Sequence, residues 1–161
     1  MSKLLRTIRF DESDESVFSN AALEQEWAIS CAFQFCDHQF EELDGKTRQA
    51  FTNGFLGLES FGYSTFGITS NITKAALADT ELLLAKHIFE TYDAPSLQAA
   101  MEAAKQEIEF TAHLCDDVPL GTVFAVKREF TLEGRIKEGF HKVKLDEDTL
   151  HHGNIWEIQD D

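Results

Sequence analysis

TVFAVKREF (residues 122–130) and RIKEGFHKV (residues 135–143) decide the class of fold. Both runs are short and rich in β-branched and aromatic residues, and the segment between them carries Glu133-Gly134, so the pair reads as a β-hairpin. Phe124, Val126 and Phe130 fall on one strand face, and Ile136 and Phe140 are their expected neighbours across the ladder.

Immediately upstream stands a second pair of neighbours in sequence. Residues 74–92 are dominated by Ala, Leu, Lys and Glu, with Leu77, Leu84 and Ile88 in one apolar row and Ala78, Leu82, Ala85, Phe89 and Tyr92 in another. Pro95 suits the start of a further helix capped by Asp93 or Ser96. Leu97, Met101, Ala104, Ile108, Ala112 and Cys115 then recur at helical spacing until Asp116-Asp117-Val118-Pro119 stops the pattern. The short linker predicts a helical hairpin.

Further out, residues 4–10 read as a first strand. Trp27, Ile29, Cys31, Phe33 and Phe35 alternate with smaller residues, which predicts a strand over 27–35. Asp44 is a plausible N-cap for a helix over about 45–58, in which Gly54 and Gly57 imply close approach of another backbone or an early break. Residues 63–68 follow as a strand. The order predicts one α+β domain over residues 1–161: a mostly antiparallel sheet of about five strands with three helices, the last two a hairpin packed on one face. The acidic tail, 144–161, is expected to dock or to add an edge strand through Ile155 to Ile158.

The chain carries 14 Lys and Arg against 29 Asp and Glu, a net charge of −15. Nucleic acid and anionic membrane surfaces both demand a cationic footprint, so neither is an expected partner. The hairpin is locally the reverse, with Lys127, Arg128, Arg135, Lys137, Lys142 and Lys144 against Glu129, Glu133 and Glu138. Lys and Glu on an exposed strand face commonly serve solubility. Three cysteines (Cys31, Cys36 and Cys115) and an N-terminus with no apolar h-region predict a reducing, cytoplasmic setting.

Motifs for chemistry are sparse. Cys31, Cys36 and His38 lack the second ligand pair of a structural zinc site, and Cys115 beside His113, Asp116 and Asp117 completes an apolar stripe. His151-His152 falls in the tail. No cofactor and no metal is expected. Ser64 has a glycine only on its N-terminal side, short of a nucleophile elbow. Gly54 and Gly57 match no phosphate loop.

Fourteen Phe against two Tyr and two Trp is an unusual surplus. Rings without a polar handle belong in a core, a ligand cavity or an interface. Two functions are therefore expected from different classes. One is a non-catalytic binding or assembly protein, as a homodimer or with a protein partner. The other is a small-molecule-binding protein or minor enzyme, with a cavity between sheet and helices walled by Phe33, Phe35, Phe55 and Phe61 and with His38, Tyr63 and Ser64 as its polar groups.

The stretch Gly54-Phe55-Leu56-Gly57-Leu58-Glu59-Ser60-Phe61-Gly62-Tyr63-Ser64-Thr65, with Leu114-Cys115-Asp116-Asp117 leading into Gly121-Thr122, resembles an uncharacterised family of small bacterial proteins known as a domain of unknown function. The resemblance runs from about residue 4 to 143. It implies a bacterial, cytoplasmic origin and carries no activity and no functional residue with it.

Overall fold

The computed structural model describes residues 2–36, 38, 40–145 and 156–160. Strand β1 (Ser2–Ile8) opens the chain, and a short helix, α1 (Ser13–Val17), follows within the acidic stretch. Strand β2 is Trp27–Ser30, and the predicted cap on Asp44 starts α2 (Gly45–Asn53) by accepting the Thr47 N–H. Strands β3 (Phe55–Gly57), β4 (Tyr63–Ser64) and β5 (Phe66–Ile72) come next. Thr73 and Ser96 cap α3 (Lys74–Thr91) and α4 (Leu97–Asp116), each hydroxyl accepting a first-turn N–H. The hairpin is β6 (Val123–Phe130) and β7 (Ile136–Leu145), and β8 is Trp156–Asp160.

All ladders are antiparallel, in the order β4-β3-β2-β1-β5-β6-β7-β8. Seven strands up to Leu145 make the sheet, and β8 pairs along the β7 edge. The fold is therefore α+β and antiparallel as expected, but among the described residues it has more strands than five and four α-helices instead of three. The hairpin register sets Val126 opposite Phe140 and Phe130 opposite Ile136, as the alternation predicts. Gly134 turns it with φ of +80°, a backbone region that glycine enters freely.

Two predicted elements end early. The strand expected over 27–35 stops at Ser30, and Ala32–Phe35 is a 3-10 turn. Its neighbour explains this: Ser30 pairs with Phe55, the first residue of β3, and the chain before Phe55 is α2, so a longer β2 would find no ladder on that side. The helix expected over 45–58 breaks at Gly54, and Phe55, Leu56 and Gly57 become a fully buried strand. A continuous apolar run suits either state, and burial on both faces decided it.

In register order the sheet would set β3 and β6 four strands apart, about 19 Å when flat. Yet the Arg128 guanidinium on β6 lies 2.9 Å from the Gly54 carbonyl, and the Phe55 ring stands 6.2 Å from that of Phe140 on β7. The sheet is strongly curled. Inside the curl, Leu5, Ala28, Phe55, Phe124 and Val126 meet Cys115 and Val118 at the end of α4. Lys3 Nζ donates to the Val118 carbonyl there, and α4 runs along β1 and β2 with α3 packed on it. A larger cluster joins Leu4, Ile29, Leu56, Phe35 and Phe51 to Leu84 and Ile88 of α3 and Ala104 and Ile108 of α4. Among the described residues, no helix is long and apolar enough to cross a membrane.

Candidate functional site

Among the described residues three charged side chains, Arg128, Glu26 and Asp14, sit deep in the protein, and each holds loops together. Arg128, 2% exposed, occupies the apolar row of β6 between Val126 and Phe130. Its Nε donates to Glu138 Oε2 directly across the ladder, at 2.5 Å. Its Nη1 donates to the carbonyls of Phe51 and Gly54, each at 2.9 Å, and to Cys31 Sγ, while Nη2 reaches Ser30 Oγ at 3.3 Å. Ser30 Oγ in turn donates to the same Glu138 oxygen. One guanidinium thus ties β2, the α2–β3 junction and β7 to β6. The planar fork with five N–H donors is what makes this possible, and a lysine could not reproduce it. The hairpin's apparent surplus of surface cations is reduced by this one buried residue.

Glu26, also 2% exposed, has no cation beside it among the described residues. It accepts the N–H groups of Leu23, Glu59 and Ser60 and the Ser60 hydroxyl, at 2.6 to 2.9 Å. Gly57 leaves the room: a Cβ there would stand 2.6 Å from Glu26 Oε1. Asp14 likewise accepts both the N–H and the hydroxyl of Thr65.

The residues predicted to wall one cavity are distributed over several places. Phe33 and His38 line a pocket of about 300 Å³ between the 3-10 turn and helices α3 and α4. Phe35 is buried edge-on against Phe51, and Phe55 lies in the other apolar cluster against Phe140. Phe61, with φ of +55°, a strained setting for a side-chain-bearing residue, stacks flat on His87 at 3.9 Å. Tyr63 stands behind the pocket, its hydroxyl donating to Gln34 Oε1 at 2.8 Å. Ser64 is buried and its hydroxyl donates to the Phe66 carbonyl, which explains the serine without chemistry.

The pocket's remaining lining comes from residues that no motif singled out: Gln34, Tyr92, Gln106 and Glu107, with Ile88 and Ala103. Gln34 is fixed from both sides, since its Nε2 donates to Tyr92 Oη at 2.9 Å. The rings of Phe33 and Tyr92 meet edge to face at 6.0 Å. Burial pushes the Tyr63 and Tyr92 phenols up, and burial holds the His87 imidazole below its ordinary value. Glu107 is raised by burial first and by the nearby Glu138 carboxylate second. His38 faces Glu42 at 3.4 Å and also borders a wider cleft of about 950 Å³ under the hairpin turn, with Cys36, Glu41, Phe130 and Leu132. Among the described residues no three His, Cys, Asp or Glu side chains converge as a metal would need. His151 and His152 lie outside the described residues.

The geometry defines a class first: an α+β protein whose curled antiparallel sheet is closed by a buried arginine. By sequence, the chain belongs to a family of unknown function (DUF6505), whose model matches residues 1–161. The match takes in the tail that the sequence reading set outside the resemblance. No curated protein and no solved structure matches the chain.

Proposed function

We propose that the chain is a non-catalytic binding or assembly protein that works through a protein–protein interface on the outer side of α3, with a second copy of itself as the occupant. One observation carries this. Leu82, Leu83 and Phe89 are 41–45% exposed along that helix, and Leu97 at the start of α4 is 47% exposed. These side chains are large and apolar, and among the described residues nothing covers them fully. Lys86 and Glu90 stand one turn apart between and beside them, an opposite-sign pair that a two-fold axis can set against its own copy. A stable interface needs about 1,200–2,000 Å² in total, so neighbouring surface would have to join the helix face. Native mass spectrometry at micromolar concentration tests the idea. The expected result is a dimer that Leu82→Lys with Phe89→Lys converts to a folded monomer. A wild-type monomer would refute it.

A second reading, small-molecule binding, is favoured by the pocket beside Phe33 and His38. Its volume lies at the small end of the range for ligand sites, about 300–1,000 Å³.

A further inference from the structure

We infer that the pocket between the 3-10 turn and helices α3 and α4 is a site for a small organic cation, a protonated amine or guanidinium, held by the Glu107 carboxylate and the aromatic walls of Phe33 and Tyr92. The inference rests on the pocket reading and is independent of the oligomeric state.

Among the described residues, Glu107 stands without a counter-ion. Its side chain lines the pocket and is partly buried on α4, yet among the described residues no Lys, Arg or hydrogen-bond donor pairs with it. The other buried acids of this protein are treated differently. Glu138 has Arg128 and Ser30, Glu26 has four donors, and Asp14 has Thr65. A carboxylate partly withdrawn from water without a partner is disfavoured in its charged form, and its ordinary remedy is a counter-charge or a proton. Here both burial and Glu138 disfavour the charge, so a bound cation would relieve the same strain.

The walls suit that occupant. Ring faces attract cations through their quadrupole, more strongly when water is excluded. Phe33 and Tyr92 supply two rings at a large mutual angle, 71°. The Tyr92 oxygen already accepts a hydrogen bond from Gln34, which fixes the ring's position. Opposing charge is accounted for as well: Arg128 is engaged by five acceptors, and His38 faces Glu42. The space, about 300 Å³, admits a short alkyl amine or an agmatine-sized molecule. A net charge of −15 draws cations toward the whole protein.

The test is an NMR titration of the full chain, using ¹⁵N–¹H spectra, with n-butylammonium and agmatine as probes and n-butanol and butyrate as controls. The expected result is saturable binding by the cations, near millimolar as ligands of this size allow, with shifts centred on residues 33–38, 88–92 and 103–107. Butanol should bind at least tenfold more weakly. Glu107→Gln should lose at least tenfold in affinity while its spectrum otherwise overlays the wild type. Gln106→Lys, which brings a tethered cation to the rim of an exposed helix position, should abolish binding even if Glu107→Gln fails to fold. Equal binding of butanol and butylammonium would overturn the cation assignment and leave the pocket reading standing. Full affinity in Glu107→Gln would likewise overturn the assignment to the Glu107 carboxylate and leave the pocket reading standing, whereas no saturable binding by any probe would overturn both.

Discussion

Replacing Arg128 with methionine tests the central structural claim. The substitution keeps an unbranched side chain in the apolar row of β6 but removes every N–H that Glu138, Ser30, Cys31 and the Phe51 and Gly54 carbonyls share. Removing one partner of a buried ion pair typically costs about 3–5 kcal/mol, because the other charge stays behind uncompensated. The Glu138 side chain is 12% exposed, so some water reaches it and the lower half of that range applies first. The two carbonyls add to the cost, since each buried acceptor left unmade is worth about 1–3 kcal/mol. Against a typical domain stability of about 5–15 kcal/mol, the loss is a third or more. Urea unfolding followed by far-UV circular dichroism measures it directly, as a shift in midpoint at constant slope. Arg128→Met with Glu138→Leu should be more stable than Arg128→Met alone, because the orphaned carboxylate is gone. Arg128→Lys should fall between wild type and Arg128→Met. A loss below about 1 kcal/mol for Arg128→Met, or a double variant weaker than the single one, would refute the reasoning.

Glu26→Ala should destabilise by about 3 kcal/mol or more and expose the amides of Glu59 and Ser60 to hydrogen exchange; Gly57→Ala should destabilise too, by about 1–3 kcal/mol, because its methyl group meets the Glu26 carboxylate. Glu107→Gln should stabilise near neutral pH and do little in acid: the folded-state pKa is raised, so the penalty is absent below the unfolded value and grows as pH rises through the folded one, which thermal melts at pH 4 and pH 7 would reveal as unequal shifts. Of the three thiols only Cys36 is exposed, while burial raises Cys31 and pushes Cys115 up to about 11, so a thiol reagent at neutral pH should show one fast and two slow reactions. Three equal rates would contradict the packing.

Much of this architecture is readable from periodicity. The α4 stripe and the β6–β7 hairpin are long, and their patterns fit one state only, so their placement in the fold follows. Short apolar runs are another matter. Phe55, Leu56 and Gly57 satisfy helical spacing as extensions of α2, and only a partner strand makes them β3. Trp27 to Phe35 alternates past the point where its ladder ends. Arg128 was hidden by its neighbours Lys127 and Glu129, which do belong to a solvated face. The signal was its phase: positions 124, 126, 128 and 130 form one row, and a charged residue in an otherwise apolar row marks a buried polar centre. The pocket gave no comparable signal. Its lining comes from the 3-10 turn and two helices that meet only through tertiary packing, and Gln34, Gln106 and Glu107 look like any polar surface residues.

The Arg128 contacts span 74 to 98 residues of chain on the Cys31, Ser30, Phe51 and Gly54 side. Contacts so distant in sequence close long loops at an entropic cost, which favours their forming late, once the sheet has largely assembled. A bond that forms after the rate-limiting step adds nothing to the speed of folding and all of its strength to the barrier against opening. The arginine is therefore a latch in time as well as in space. Its loss would leave folding about as fast as before and shorten the lifetime of the folded molecule, the quantity on which resistance to proteolysis and irreversible inactivation depends.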